Sequence, residues 1–302
     1  MHSSPRPEPE PSIPPPFSPM AGAPGSPAAV RTLLRSLGLR PQKGFGQNFL
    51  VDEAILGRIV HAADLQPSDL VIEVGPGLGH LTRHLAAHAG RVIAIEIDRG
   101  IVRALRRLFQ ETPNVEIIEQ DVLRIRPEEL VGDCPYKVIG NLPYYITSPV
   151  LRLFLEAPRR PSLMVVMVQR EVASRILARP GDLSLLAISV QAYGQPRLVA
   201  RVPPSAFFPR PKVESAVLRI DVYDHPRFDS PPSAFFRVVA AGFAMPRKQL
   251  HNALAQRIWM PPDSAPAILR EAGIDPARRA QTLTIPEWDR LTSILIERRL
   301  VS

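Results

Sequence analysis

The stretch from Asp69 to Gly79 constrains the fold of this 302-residue chain more than any other. An apolar run at residues 69–74 predicts a buried strand, and it leads into the turn Gly75-Pro76-Gly77-Leu78-Gly79. The pattern over residues 80–89 then predicts a helix. A strand, a glycine-rich turn and a helix in this order open a Rossmann-like βαβ unit, so we expect an α/β protein.

The spacing of these glycines indicates the kind of ligand. A dinucleotide-binding turn has the pattern Gly-x-Gly-x-x-Gly. Here the third glycine comes one residue early, and His80 occupies its expected place. The variant Gly-x-Gly-x-Gly is typical of S-adenosylmethionine, which has no pyrophosphate to cradle. The turn therefore favours S-adenosylmethionine over a dinucleotide.

Acidic residues at the ends of the next two predicted strands are candidates for binding a nucleoside. Glu96, in the strand over residues 91–97, lies about 20 residues past the glycines, where a carboxylate accepts ribose hydroxyls. Asp98 can serve the same purpose, but we expect it to cap the following helix, residues 99–110. Asp121 follows the strand over residues 115–119, where it can accept from an adenine amino group or cap the next turn.

The stretch Asn141-Leu142-Pro143-Tyr144 is the predicted catalytic site, and it follows a short apolar strand at residues 136–140. The Asn141 side-chain oxygen and the Leu142 carbonyl can accept hydrogen bonds, and Pro143 holds the two acceptors in a fixed relation. Tyr144 offers a flat face on which a nucleobase can stack. Two acceptors and a flat face suit an exocyclic amino group on a planar ring. The alternative is a plain strand-to-helix turn with Tyr144 in the core.

Two further runs are candidates for closing the site. Residues 43–50, Lys-Gly-Phe-Gly-Gln-Asn-Phe-Leu, predict a loop that closes over a ligand. In Phe207-Phe208-Pro209-Arg210-Pro211-Lys212, Phe208 can form the other side of a stacked base while Arg210 and Lys212 meet phosphates. Core packing is the alternative for Phe207.

Three histidines, His80, His84 and His88, lie one turn apart on the predicted helix. This spacing allows a metal site. No acid or cysteine joins them on that helix, so we favour a solvated stripe and expect no metal.

Charge and cysteine content limit the setting of the protein. The formal net charge is +8 and the isoelectric point is near 10.2, which fits a polyanionic partner. The single cysteine, Cys134, allows no intrachain disulfide and favours a reducing compartment. No apolar run reaches the roughly 18 residues that span a bilayer, and the start of the chain has no secretory signal pattern. We expect a cytoplasmic protein without membrane contact, with an organelle matrix as the alternative.

The pattern along the chain predicts three parts. Residues 1–27, rich in Pro, Ser and Glu, are expected to be a disordered tail. Residues 28–223 alternate strands and helices; one helix opens at Ser148 with Pro149 in its first position, and residues 183–193 favour another. Residues 224–302 are expected to form a small helical domain. Its predicted phosphate-binding cations are Arg247-Lys248, Arg257, Arg278-Arg279 and Arg298-Arg299.

Taken together, these runs resemble the ribosomal RNA adenine dimethyltransferases that modify small-subunit RNA. The matching runs follow the family's order from about residue 28 to the C-terminus: Lys43-Gly44-Phe45-Gly46-Gln47-Asn48-Phe49-Leu50, Glu73-Val74-Gly75-Pro76-Gly77-Leu78-Gly79, Glu96-Ile97-Asp98, Asn141-Leu142-Pro143-Tyr144-Tyr145-Ile146, Met167-Val168-Gln169-Arg170-Glu171-Val172-Ala173, Phe208-Pro209-Arg210-Pro211-Lys212-Val213-Glu214-Ser215 and Arg247-Lys248-Gln249-Leu250. The chain departs from the family at Gln120, where glycine is usual, and in the loop Pro180-Gly181-Asp182-Leu183.

The resemblance implies a seven-stranded Rossmann-like methyltransferase domain followed by a small all-α domain. It implies that S-adenosylmethionine is bound by Asn48, Leu50, Gly75, Glu96, Asp121 and Asn141. It also implies dimethylation of the N6 amino groups of two adjacent adenines near the 3′ end of small-subunit ribosomal RNA, within an assembling subunit. The expected substrate contacts are Tyr144, Phe208, Arg247 and Lys248, and the enzyme is expected to be a monomer.

Three other functions remain open at this point. A relative that methylates a large-subunit adenine shares these motifs, although the well-matched C-terminal half argues against it. A nicotinamide dehydrogenase is disfavoured by the glycine spacing. A non-catalytic RNA-binding or assembly factor on the same fold is disfavoured by the intact Asn141-Leu142-Pro143-Tyr144.

Overall fold

The computed structural model describes residues 27–41, 47–261 and 263–301. The tail predicted over residues 1–27 lies outside this range except for Pro27, and residues 43–46 of the predicted loop lie outside it as well. The helices are α1 (Pro27–Ser36), α2 (Glu53–Ala63), α3 (His80–Ala86), α4 (Arg99–Leu108), α5 (Pro127–Val131), α6 (Thr147–Leu155), α7 (Arg170–Ile176), α8 (Leu185–Gln191), α9 (Pro232–Phe243), α10 (Leu250–Arg257), α11 (Ser264–Glu271) and α12 (Ile285–Glu297). The strands are β1 (Phe49–Leu50), β2 (Leu70–Val74), β3 (Arg91–Glu96), β4 (Val115–Glu119), β5 (Tyr136–Asn141), β6 (Leu163–Gln169), β7 (Gly194–Val202), β8 (Phe207–Phe208) and β9 (Ser215–Val222).

Within the described chain, seven strands form one sheet in the order β4-β3-β2-β5-β6-β9-β7. The first five of these are parallel, and β9 runs antiparallel to both β6 and β7. All five residues of β2 are buried, as expected for a parallel strand covered on both faces. The chain adds β3 and β4 on one side of β2 and then crosses to β5 on the other side. This confirms the Rossmann-like sheet and predicts a ligand crevice at the carboxyl ends of β2 and β5, where the strand order reverses.

The glycine turn makes the tight passage from β2 to α3 that the sequence predicts. Gly77 and Gly79 have φ values of 55° and 82°, in the left-handed region that favours glycine. A Cβ atom on Gly77 would lie 3.0 Å from the Phe49 ring, and one on Gly79 would lie 2.8 Å from the Phe109 ring. The turn therefore needs glycine for its backbone shape and for the space around it.

A small antiparallel sheet of β1 and β8 fixes the chain that precedes α2. Phe49 pairs with Phe208 in this sheet, so the Phe207-Phe208 run forms a short strand, which the sequence analysis did not predict. Phe49 packs in an apolar cluster with residues of α1 and α4, including Leu34 and Leu105. The small sheet thereby holds residues 47–50 beside the carboxyl ends of the main strands.

The C-terminal region is helical, as predicted, and packs on the sheet domain through aromatic side chains. Phe228 stacks on Phe235 of α9 with ring centroids 4.1 Å apart, and Tyr193 stacks on Phe236 at 5.9 Å. One apolar cluster continues from the main sheet into α9–α12. The division between residues 223 and 224 stays a prediction, because the apolar packing does not stop there.

Several predicted helix boundaries differ from the structure by one to three residues, and two of these differences have a local cause. α6 begins at Thr147, and Pro149 is its third residue, because a 3-10 turn at Tyr144–Ile146 leads directly into it. α3 ends at Ala86 rather than near Ala89. The Asn114 side chain donates to the carbonyls of Ala86 and Ala89, at 2.8 and 3.0 Å. These two carbonyls at the end of the helix are therefore hydrogen-bonded to a side chain. The helix favoured over residues 183–193 is confirmed as α8.

Candidate active site

A pocket opens at the carboxyl ends of β2, β3 and β5, at the predicted crevice. Its volume is about 340 Å³, within the range of roughly 300–1,000 Å³ that is typical of small-molecule sites. Its wall contains every predicted cofactor and catalytic residue: Asn48, Leu50, Gly75, Glu96, Asp121, Asn141, Leu142, Pro143 and Tyr144. These residues are spread over almost a hundred positions of sequence, and the sheet brings them to one edge.

The Glu96 carboxylate is buried and fixed by its own backbone. Its Oε1 accepts from the amides of Ile97 at 2.8 Å and Asp98 at 2.9 Å. Burial raises the pKa of this carboxyl, and hydrogen bonds from backbone amides, including that of Gly77, oppose the rise. Asp98 caps α4 by accepting from the amides of Gly100 and Ile101, which confirms its predicted role. Because Asp98 caps α4, Glu96 is the acidic residue at the end of β3 that we expect to bind a ligand.

Asp121 caps the turn that follows it and also lines the pocket, so its position suits both of the roles that the sequence offered. Its Oδ1 accepts from the Leu123 amide at 3.0 Å and caps a 3-10 turn, while the residue also lies on the pocket wall. Its Oδ2 lies 3.8 Å from the Arg124 side chain. Capping by one oxygen therefore leaves the other to accept a hydrogen bond from a ligand.

The Asn141 amide is oriented by the segment that the small sheet holds in place. Its Nδ2 donates to the Asn48 carbonyl at 3.0 Å, so Oδ1 is the atom available as an acceptor. The next residue is fixed as well, because the Leu142 amide donates to the Met167 carbonyl at 3.2 Å and its side chain is buried. The end of β5 thus presents a side-chain acceptor whose direction is set by residues 93 positions away.

Tyr144 is half-buried, and its hydroxyl has a partner that the sequence did not suggest. The Tyr144 and Ser215 hydroxyls are hydrogen-bonded at 2.8 Å, and Ser215 is fully buried at the start of β9. This bond fixes the plane of the Tyr144 ring on the pocket wall. The neighbouring Tyr145 is 59% exposed and also lines the pocket, so two tyrosine rings stand at its mouth.

Glu73 is a pocket residue that our sequence analysis did not assign. Its carboxyl is almost completely buried, and Oε2 has no hydrogen-bond partner among the described residues. Burial raises the pKa of Glu73 to about 8; the nearby Thr82 hydroxyl opposes this rise, and the charge of Glu96 adds to it. A glutamate in the otherwise apolar run of β2 is the signal that would have identified it.

The predicted stripe of three solvated histidines is wrong for His80. That side chain is buried on the pocket wall, and burial lowers its pKa to about 4, so the imidazole is neutral at pH 7. His84 bonds to Glu53 of α2 at 2.9 Å, and His88 lies beyond the end of α3. In the parts of the chain that the structure describes, no group of three or more His, Cys, Asp or Glu residues is placed to hold a metal.

The predicted substrate contacts other than Tyr144 do not line the pocket. Phe208 packs beside Phe49 under the Arg31 guanidinium, whose carbon is 5.6 Å from the ring centroid, and its place in a base stack stays a prediction. Arg247 and Lys248 are exposed in the turn between α9 and α10.

Two arginines of the predicted basic surface are engaged within the protein. Arg278 bonds to Glu287 and Thr282, and Arg298 pairs with Glu271. The charge of these two arginines is therefore partly neutralised by acids of the same chain.

Residues 38–297 match the family model described as ribosomal RNA adenine dimethylase. The chain belongs to this family. It is accordingly an enzyme that methylates ribosomal RNA, and the nicotinamide dehydrogenase and the non-catalytic factor are rejected. No helix in the described residues is long and apolar enough to cross a membrane.

Relatives with assigned names match nearly the whole chain. It is 48% identical over 278 residues to ribosomal RNA small subunit methyltransferase A of Dehalococcoides mccartyi, which covers 91% of this chain and 96% of that protein. It is 44% identical over 270 residues to the protein of the same name from Desulfitobacterium hafniense, covering 89% of this chain and 96% of that protein.

Solved structures show the same architecture. The 23S rRNA methyltransferase ErmE superimposes with a TM-score of 0.64 at 30% identity, over 82% of this chain and 100% of that chain. A dimethyladenosine transferase from Plasmodium falciparum superimposes with a TM-score of 0.72 at 24% identity, over 83% of this chain and 98% of that chain, and shows the fold alone.

Proposed function

We propose that this protein transfers methyl groups from S-adenosylmethionine to the N6 amino groups of two adjacent adenines near the 3′ end of small-subunit ribosomal RNA. The observation that carries the proposal is the Asn141 amide, which the Asn48 carbonyl orients on the wall of a pocket that also contains Glu96 and Asp121. A side-chain acceptor held in one direction is what recognition of an exocyclic amino group requires.

The residues of the pocket fit S-adenosylmethionine. The ligand has an amino group, and the pocket contains the carboxyl of Glu73, whose unpartnered buried oxygen can accept a hydrogen bond from it. We assign Glu96 Oε2 to the ribose hydroxyls, because Oε1 is bonded to backbone amides. We assign Asp121 Oδ2 to the adenine amino group of the cofactor. Ile97 and Leu123 are exposed apolar side chains at the same edge and would cover the adenine ring.

The end of β5 would bind and orient the target adenine. When bound, S-adenosylmethionine supplies an electrophilic methyl group. The target base must leave its stack to reach the pocket, and the Tyr144 ring offers the face on which it stacks again. Asn141 Oδ1 and the Leu142 carbonyl would accept hydrogen bonds from its amino group and so favour the pyramidal form that has a nucleophilic lone pair. Positioning of this kind supplies a large part of the rate. We assign no side chain as a general base.

The small subunit is favoured as the partner over the large subunit. The relatives at 44–48% identity are named for the small subunit, whereas the 23S enzyme ErmE is 30% identical. The substrate we propose is an assembling subunit, in which the target adenines are not yet methylated. We propose a cytoplasmic location, where such subunits assemble. We propose a monomer, since every residue used here lies in one chain.

Transfer of labelled methyl groups tests this proposal. Labelled S-adenosylmethionine would be offered with unmethylated small subunits, mature small subunits and large-subunit RNA, and the label would be mapped. We expect label only in the unmethylated small subunits, on two adjacent adenines near the 3′ end of the RNA. Label in large-subunit RNA would instead establish the second candidate, an enzyme of the ErmE type.

A further inference from the structure

Trp259 is a large side chain to which the fold and the pocket give no role. It is 91% exposed, although its two neighbours in the chain, Ile258 and Met260, are buried in the main apolar cluster. The buried neighbours anchor the backbone on both sides of the tryptophan. The indole is therefore held at the surface by an ordered part of the chain.

The backbone at Trp259 adds a second unfavourable feature. Its φ is 55°, in the left-handed region that favours glycine. α10 ends at Arg257 with Ile258 as its C-cap, and the Met260 amide donates to the Ala255 carbonyl at 3.3 Å. This is the hydrogen bond of a Schellman motif, in which the residue at the position of Trp259 is usually glycine. Arg299 has the same φ past the end of α12, so the backbone shape belongs to the helix end. The exposed indole, which does not stabilise the fold, is the feature that points to a binding role.

The sequence around Trp259 is cationic. No aspartate or glutamate occurs between Asp229 and Asp263. Arg247 and Lys248 precede α10, and Arg257 is its last residue; all three are exposed. The eight-residue helix α10 thus has cations at both ends and an exposed aromatic ring just past its C-terminus. Proteins recognise single-stranded RNA with cationic side chains that contact phosphates and aromatic rings that stack on bases.

We propose that Trp259 stacks on an unpaired base of the substrate ribosomal RNA, with Arg257 on a neighbouring phosphate. The proposal rests on the function proposed above, because it takes the RNA substrate from there. It places a base contact just past the C-terminus of α10, outside the pocket, where it holds the RNA while the target adenine enters. The competing explanation is that Trp259 contacts a ribosomal protein. That explanation does not account for the absence of acidic residues between Asp229 and Asp263.

Tryptophan fluorescence gives the first test, because the chain has two tryptophans of opposite exposure. Trp259 is 91% exposed, and Trp288 is fully buried. Titration with a protein-free transcript of the 3′ region of small-subunit RNA should quench the exposed indole and protect it from acrylamide. The Trp259→Phe variant should show neither change. Unchanged emission and accessibility of the parent protein in its RNA complex would overturn the proposal.

Affinity for the same transcript gives the second test, with three substitutions of one exposed side chain. Trp259→Ala and Trp259→Leu should weaken binding by between about five- and a hundred-fold, whereas Trp259→Phe should keep most of the affinity. Trp259→Ala should leave the dependence of log affinity on log salt unchanged, because stacking releases no counterions, and Arg257→Gln should lower its slope by about one. Melting temperatures would confirm that all the variants fold.

The outcomes separate this inference from the proposed function. If Trp259→Leu binds the transcript as the parent does, or if the loss appears only with assembled subunits, the contact is apolar or made with protein and the inference is wrong. If the parent transfers no methyl groups to small subunits, the proposed function fails, while the comparison of RNA affinities still decides whether Trp259 stacks on RNA.

Discussion

The pocket and the surface around α10 hold their functional groups in opposite ways. In the pocket the polar groups are fixed by partners: the Asn141 amide by Asn48, and the Tyr144 hydroxyl by Ser215. Around α10 the side chains of Lys248 and Trp259 are exposed to solvent. Groups that act on reacting atoms must be held in place, because small displacements cost rate. Groups that meet phosphates act mainly through charge, so they need little fixed geometry.

This difference predicts two classes of variant. Substitutions in the pocket should change stability, cofactor affinity or turnover, with little dependence on salt. Substitutions around α10 should change RNA affinity, and removal of a cation there should change its salt dependence. A pocket variant with a purely salt-dependent defect, or an α10 variant with a turnover defect at saturating RNA, would break the distinction.

The largest effect is expected for the substitution Glu73→Gln, measured as a change in the stability of the ligand-free protein. Its pKa in the folded protein is about 8, against an ordinary value of 4.5. Below pH 4.5 the carboxyl is protonated in both the folded and the unfolded protein, so it does not change the free energy of unfolding. Between pH 4.5 and 8 the unfolded chain loses its proton first, so the folded state loses stability by up to about tenfold in the unfolding equilibrium constant per pH unit. Glu73→Gln should remove this loss, and its stability relative to the parent should therefore rise with pH.

Urea unfolding at several pH values from 5 to 8 would measure this effect. Glu129→Gln is a suitable control, because that glutamate is exposed and its substitution should leave the pH dependence as it is in the parent. A stability difference between Glu73→Gln and the parent that is the same at every pH would mean that the carboxyl is already charged in the folded protein.

The next effect concerns Glu96 and the cofactor. Glu96→Ala removes hydrogen bonds from a charged group, a loss of about 1.5–3 kcal/mol, or roughly ten- to a hundred-fold in affinity for S-adenosylmethionine. The comparison variant is Glu119→Ala at the end of the neighbouring strand β4, which does not line the pocket and should bind the ligand as the parent does. Calorimetry that gives equal affinities for both variants would remove Glu96 from the ribose site.

Two substitutions of Tyr144 should separate the role of its ring from the role of its hydroxyl. Tyr144→Ala should lose about 1–3 kcal/mol of base stacking and with it turnover on unmethylated subunits. Tyr144→Phe keeps the ring and most of the turnover, but it leaves the buried Ser215 hydroxyl unpaired and should cost about 1–3 kcal/mol of stability.

The double variant Tyr144→Phe with Ser215→Ala tests that explanation. It should recover part of the lost stability, since neither hydroxyl then lacks a partner. Additive losses of melting temperature in the two single variants and the double variant would show that the hydroxyl pair contributes nothing.

The smallest effect in free energy is expected at Arg247 and Lys248. Replacing both by glutamine should reduce the slope of log affinity for RNA against log salt by about two, with little change in cofactor affinity. Arg278 is not a suitable substitute, because it bonds to Glu287 within the fold. A slope equal to that of the parent would show that these two cations do not meet phosphates.

The sequence predicted the features that depend on short stretches of chain. The strand and turn up to Gly79, the cap at Asp98 and the strand before Asn141 are local patterns, and the structure confirms them. It did not reveal the partners of Asn141 and Tyr144, which lie 93 and 71 residues away and meet them only when the sheet forms. His80 was misassigned for a related reason, because helical spacing shows which residues share a face but not what covers that face.

The central claim is that the oriented Asn141 amide positions the target amino group, and single-turnover methylation by Asn141→Ala tests it most directly. The assay would use unmethylated small subunits bound in advance and saturating labelled S-adenosylmethionine, so that weaker binding of either ligand does not limit the rate. We expect the rate to fall by about a hundred-fold or more, the loss typical of removing one preorganised hydrogen-bonding group, while the subunits remain bound. A rate within a few-fold of the parent would contradict the account.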